Sequence, residues 1–132
     1  MNRFLVGESN PMHQSQIVKA FKQLGYSIDI VTNSTTLGKM MEREWYSHVL
    51  VDAKLPQFSC AEMTKYLKSS LKTYEAPTQL IAITANVFPA HWDEVLFDGS
   101  LAKPIDVENL QAMVEKTIVE NSWLKRSLGV PV

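Results

Sequence analysis

Five times in 132 residues a short apolar run stops at a polar residue and gives way to a stretch whose apolar side chains recur at helical spacing. The runs lie at 3–6, 26–31, 49–51, 80–83 and 100–102. Alternating units of this length need right-handed crossovers between parallel strands, and the helices must cover both faces of the sheet. The expected architecture is α/β, a three-layer αβα sandwich around a five-stranded parallel sheet. All five strands then end on one edge. Open sheets of this kind bind ligands beyond the carboxyl ends of their strands, so the polar residues there are the first candidates for function.

Local signals agree with the alternation. Asn10 followed by Pro11 reads as an N-cap and first helical residue, Ile17, Val18, Phe21 and Leu24 form an apolar stripe, and Gly25 closes the helix. Asn33 to Thr36 offer caps for a second helix carrying Leu37, Met40 and Met41. A third stripe, Met63, Tyr66, Leu67 and Leu71, predicts a helix over 59–71, and a weaker pattern predicts one near 89–97. Asp106 caps the last helix, with Leu110, Met113, Val114, Thr117 and Ile118 inward. The helical pattern can run on through 121–128 before Gly129 and Pro131, as an extension or a linker, so the domain is expected to occupy 1–120 and the tail 121–132.

The polar residues at the strand ends make a chemical set: Glu8 and Ser9, Asp52, Thr84 and Lys103. Val49, Leu50 and Val51 form a buried strand that delivers the Asp52 carboxylate to the edge, ahead of the break at Leu55-Pro56. Carboxylates hold a hard cation such as Mg²⁺, a metal and an ammonium neutralise a phosphoryl group on an acid, and a hydroxyl donates to a phosphoryl oxygen.

Composition narrows the class. Thirteen basic and 14 acidic residues, net charge -1, without a basic run, argue against nucleic-acid binding by bulk charge. With 45% hydrophobic residues the chain is the size of one domain with a real core. Cys60 is the single cysteine, so no internal disulfide forms; it reads as a small helix-start residue. No apolar run approaches a membrane span and no signal-peptide pattern opens the chain, so the expectation is a cytoplasmic domain without membrane contact. His13, His48 and His91 lack metal-ligand spacing and read as ordinary surface or strand residues; Trp45 reads as a core or rim anchor, and Trp92 as partly buried against its own helix.

The order Phe4-Leu5-Val6-Gly7-Glu8-Ser9-Asn10-Pro11, Val49-Leu50-Val51-Asp52 with Leu55-Pro56, Ile83-Thr84-Ala85-Asn86 and Leu101-Ala102-Lys103-Pro104-Ile105 resembles the receiver domains of two-component signalling, most of all those attached to hybrid sensor histidine kinases. The resemblance spans about residues 3–120. It implies a doubly wound, flavodoxin-like sheet of order 2-1-3-4-5 and phosphoryl transfer from a histidine kinase or histidine phosphotransfer protein onto Asp52. By position, Glu8 is one of the acid pair that holds Mg²⁺ with Asp52, Thr84 is the switch hydroxyl and Lys103 binds the phosphate. The domain itself would then be a switch and not an enzyme. A homodimer through the last helix-strand-helix face is a further expectation.

Three positions depart from the family. Ser9 stands where a second acid is usual, so magnesium binding is expected to be weak. Ser59-Cys60 replace the usual Asp-Gly, which takes a flexible glycine from the loop after Asp52. Ser100 stands where a Tyr or Phe usually rotates with the switch threonine. One alternative is a degenerate receiver that binds partners without phosphorylation. A distant one is a flavin-binding electron carrier, against which Gly7-Glu8-Ser9-Asn10 places a carboxylate where such proteins need a phosphate loop.

Overall fold

The computed structural model describes residues 2–74, 76–85 and 96–116. In chain order these form β1 (Phe4–Gly7), α1 (Pro11–Gln23), β2 (Ile28–Val31), α2 (Ser34–Arg43), β3 (His48–Asp52), α3 (Cys60–Tyr74), β4 (Gln79–Thr84), β5 (Gly99–Ala102) and α4 (Val107–Glu115). The strands make a single parallel sheet of order β2-β1-β3-β4-β5. The expected helix near 89–97 lies, through residue 95 and with His91 and Trp92, outside the described residues, as does the tail after 116.

Two apolar layers sandwich the sheet. On one face Leu37, Met41, Met63 and Leu67 of α2 and α3 meet Leu5, Val49, Val51, Leu80 and Ala82. On the other, Ile17, Ala20 and Phe21 of α1 and Leu110 and Val114 of α4 meet Phe4, Val6, Leu50, Ile81 and Ile83. The central strands are therefore apolar on both faces, which is why they read as continuous runs and not as alternating ones. Tyr26 is not in β2. It packs its ring on Phe4 and Phe21, and the strand starts two residues later.

The predicted caps form. Asn10 Oδ1 accepts from the Met12 and His13 N–H groups, Asn33 Oδ1 from Thr36 and Asp106 Oδ1 from Glu108 and Asn109. Gly25 closes α1 at φ +76°. In the loop after β3 the strain sits at an unexpected place. Cys60 begins α3, while Gln57 takes the left-handed conformation, φ +64°, that costs a side-chain-bearing residue about 1–2 kcal/mol. The Ser34 N–H donates to the Pro56 carbonyl at 3.3 Å, holding this loop against the start of α2. Trp45 is a rim anchor, its Nε1–H donating to the Ala76 carbonyl at 3.2 Å.

Two titratable groups, buried His48 and half-buried Asp98, lie at the opposite, amino-terminal edge of the sheet. His48 stacks on Phe4 at 5.0 Å and burial pushes its pKa down to about 4. Asp98 accepts the Leu80 N–H at 2.7 Å, yet burial outweighs that bond and pushes its carboxyl up to about 6. The signs are opposite. Neutral His48 contributes stability that is present above pH 6.5 and lost as pH falls toward 4. Asp98 binds its proton more tightly in the folded chain, so its cost is present above pH 6 and disappears as pH falls toward 3.8.

Two stability effects are expected. Gln57→Gly should raise the free energy of unfolding by about 0.5–1 kcal/mol, relief of backbone strain less the extra freedom of the unfolded glycine, while Gln57→Ala should give no such gain. Urea midpoints at unchanged slope measure both. Asp98→Asn should stabilise the protein by about 1–2 kcal/mol at neutral pH, the gain fading as pH falls toward 4, in urea titrations across that range.

Candidate functional site

The strand order reverses between β1 and β3, and a crevice opens at that switch point beyond their carboxyl ends. Gly7 ends β1 with Leu55 Cδ2 only 2.8 Å from where a Cβ would lie, so a side chain there would have to displace Leu55 of the loop after β3. Glu8 follows directly. Its N–H donates to the Val31 carbonyl of β2 at 2.9 Å and its carbonyl accepts the Gln14 side-chain amide at 2.6 Å. These bonds turn the Glu8 side chain, 1% exposed, into the crevice, where Oε2 accepts the Asn10 N–H at 3.1 Å.

Asp52 ends β3, 2% exposed, with Oδ1 accepting the Lys54 N–H at 2.7 Å. Ala53 N–H donates to the Ile83 carbonyl, which fixes where the chain leaves the strand. Lys103 comes from the far edge: its N–H donates to the Thr84 carbonyl at 2.8 Å, and the peptide to Pro104 is cis. Its ammonium meets Asp52 Oδ2, Glu8 Oε1 at 2.8 Å and His13 Nδ1 at 2.9 Å. Burial pushes the Lys103 pKa down, but the hydrogen bonds and charges of Asp52 and Glu8 push it up further, and it rests above its ordinary value. The ammonium therefore stays charged.

Of the five polar residues expected at the strand ends, Asp52, Lys103 and Glu8 converge in ion-pair contact. Ser9 lines the same cavity, of about 210 Å³, and brings no charge to it. Thr84 ends β4, 7% exposed and paired with Ala102, but it is the neighbouring Ala85 that lines the cavity. Asn86 lies outside the described residues. A larger groove of about 350 Å³ between β5 and α4 holds no such converging set of charges.

His13 is the residue that sequence reasoning missed. Its ring lies 3.6 Å from Glu8 Oε1 as well as against Lys103, so it belongs to the cluster. The available signal was its place in the first turn of α1, two residues after Pro11, since the first turn of a helix that follows β1 stands over the carboxyl end of that strand.

The donors suit a magnesium ion that keeps most of its water. Two carboxylates against one ammonium leave the cluster one charge negative, and the buried Glu8 Oε1 is met by Lys103 and His13 alone among the described residues. One or two carboxylates plus water is the usual protein share of such a site. No set of three His, Cys, Asp or Glu at metal-binding spacing occurs among the described residues.

The sequence pattern of the family described as "Response regulator receiver domain" matches residues 4–115. This chain belongs to the receiver domain family. It is 27% identical over 125 residues to the aerobic respiration control sensor protein ArcB of Escherichia coli (strain K12), covering 84% of this chain and 16% of ArcB. It is also 27% identical over 124 residues to the hybrid signal transduction protein dokA of Dictyostelium discoideum, covering 92% of this chain and 7% of that one. The chain thus spans a sixth or less of the length of either relative. Among solved structures, the receiver domain of the sensor histidine kinase PA1611 from Pseudomonas aeruginosa PAO1, with a magnesium ion in its active site cleft, is 25% identical at TM-score 0.69, covering 97% of this chain and 98% of that one. Receiver domains act in two-component signalling, and no described helix of this one is long and apolar enough to cross a membrane.

Removing the ammonium leaves two buried carboxylates facing each other. Lys103→Met is expected to lower stability by about 3 kcal/mol at neutral pH, and adding Glu8→Gln should return a substantial part of the loss, as read from denaturant unfolding of the single and double variants.

Proposed function

We propose that Asp52 accepts a phosphoryl group from a phosphohistidine of a partner protein, a histidine kinase or histidine phosphotransfer protein. The observation that carries this reading is the Lys103 ammonium on a buried carboxylate at the switch-point crevice. In the transfer the P–N bond of the phosphohistidine breaks, a P–O bond to the Asp52 carboxylate forms, and the departing imidazole regains its proton from solvent. Lys103 keeps its charge and can pass from Asp52 Oδ2 to a phosphoryl oxygen, and the Lys54 N–H is a second donor already at the site.

Glu8 and Asp52 would hold Mg²⁺, weakly because Ser9 adds no charge. Bound there, the ion neutralises the phosphoryl oxygens. Thr84 is the switch hydroxyl in this reading, turning from the end of β4 toward the new phosphate. Ser100, exposed in β5, cannot relay that turn as an aromatic side chain would. Met12, 68% exposed in the first turn of α1, offers the donor an apolar contact beside the cavity. The domain acts as a switch in the cytoplasm, alone or within a longer hybrid kinase, and reaches no nucleic acid itself. The Glu8 carboxylate in the first loop, with Asp52 beside it in the cavity, argues against a flavin phosphate there.

Neutral Ser9 in the cavity favours a second reading, a degenerate receiver that binds its partner unphosphorylated. Beryllofluoride titration with Mg²⁺ separates the two. The wild-type protein should form the adduct at millimolar Mg²⁺ and Asp52→Asn should not. Adduct formation by the variant would remove Asp52 from the role, and none by either protein would leave the second reading.

Ser9→Asp should tighten Mg²⁺ binding about 10- to 100-fold, a full charge within a few ångströms of the ion, discounted for its dehydration and for repulsion among three acids. Calorimetric titration of both proteins measures it. Equal affinities would show that Ser9 is not beside the metal.

A further inference from the structure

An ammonium has three N–H groups, and Lys103 is only 17% exposed, so an unpaired one would be costly to leave. Three acceptors surround it: Asp52 Oδ2, Glu8 Oε1 and His13 Nδ1. Two are the carboxylates already described. The third comes from a half-exposed residue that neither the fold nor the ion pair requires, on a helix whose buried side chains, Ile17, Ala20 and Phe21, face the apolar layer.

We infer that His13 is a positioning residue for phosphoryl transfer, its neutral imidazole holding the Lys103 ammonium through Nδ1 in the place where a phosphoryl oxygen on Asp52 needs it. This rests on Asp52 being the phosphoacceptor. Lys103 has no lone pair, so Nδ1 must carry one and the ring proton sits on Nε2. When Asp52 takes the phosphoryl group, its hold on Lys103 is exchanged for a bond to the phosphoryl group, and Glu8 and His13 remain as the two anchors of the ammonium. A neutral anchor differs from a charged one. A carboxylate at this position would hold Lys103 but offset its charge, whereas the imidazole leaves the full positive charge for the incoming phosphoryl oxygens. In a cluster where Ser9 has already replaced one acid, His13 keeps the lysine in place without restoring negative charge.

Two measurements on the intact chain test this. In ¹⁵N–¹H correlation spectra of the neutral ring, His13 should hold the Nε2–H tautomer more completely in the wild-type protein than in Lys103→Met. In beryllofluoride titrations with Mg²⁺, His13→Ala should weaken adduct formation roughly three- to tenfold, the loss of one charge-assisted bond at a partly exposed site, and His13→Asn, whose Oδ1 takes the place of Nδ1, should recover most of it. An Nδ1–H tautomer, an unaffected His13→Ala variant or a His13→Asn variant no better than it would each overturn the inference while leaving the phosphoacceptor reading intact. A wild-type protein that forms no adduct overturns that reading and the inference with it.

Discussion

Two carboxylates buried within reach of one ammonium are the constraint on which the carboxyl edge of this sheet depends. Like charges about 4 Å apart cost on the order of 4 kcal/mol at an effective dielectric near 20, so Glu8 and Asp52 can share a crevice only with a cation between them. Lys103 supplies it from the strand on the opposite side of β4, and its backbone bond to Thr84 ties that cation to the pairing of β4 with β5. Assembly of the sheet and neutralisation of the site are thus one event. The charge that stabilises the resting protein is also the charge that a phosphoryl group would recruit.

The loop between β3 and α3 shows the other side of this coupling. It leaves Asp52, bends at Gln57 in a conformation costly to a residue with a side chain, and is held to α2 through the Pro56 carbonyl and Ser34. Strain of this kind persists where the surroundings over-determine the backbone, and here it lies five residues from the carboxylate. A change at Asp52 would therefore have a strained segment through which to reach α2 and α3.

Local chemistry made much of this readable from the chain alone. Short continuous apolar runs bounded by turn residues fit strands covered on both faces, and Asn10-Pro11, Gly25, Asn33 and Asp106 mark helix ends because their backbone and side-chain preferences act within four residues. The strand ends followed from these, and with them Glu8, Asp52 and Lys103, because parallel strands joined by right-handed crossovers must finish on one edge.

Packing decided the remainder. Whether His13 met solvent or Lys103 depended on how α1 crosses the sheet, which Ile17, Ala20 and Phe21 settle by seating on Phe4 and Leu50 from strands far apart in sequence. Tyr26 lies outside β2 with its ring on Phe4 and Phe21, and Gln57 takes the left-handed turn in a loop held to α2 through the Pro56 carbonyl. That Glu8 and Asp52 would meet Lys103 at one edge followed from the strand ends, but the third group on the ammonium, His13, did not. Periodicity and capping act between near neighbours; contact distances between side chains 90 residues apart, as His13 and Lys103 are, exist only once the layers have closed.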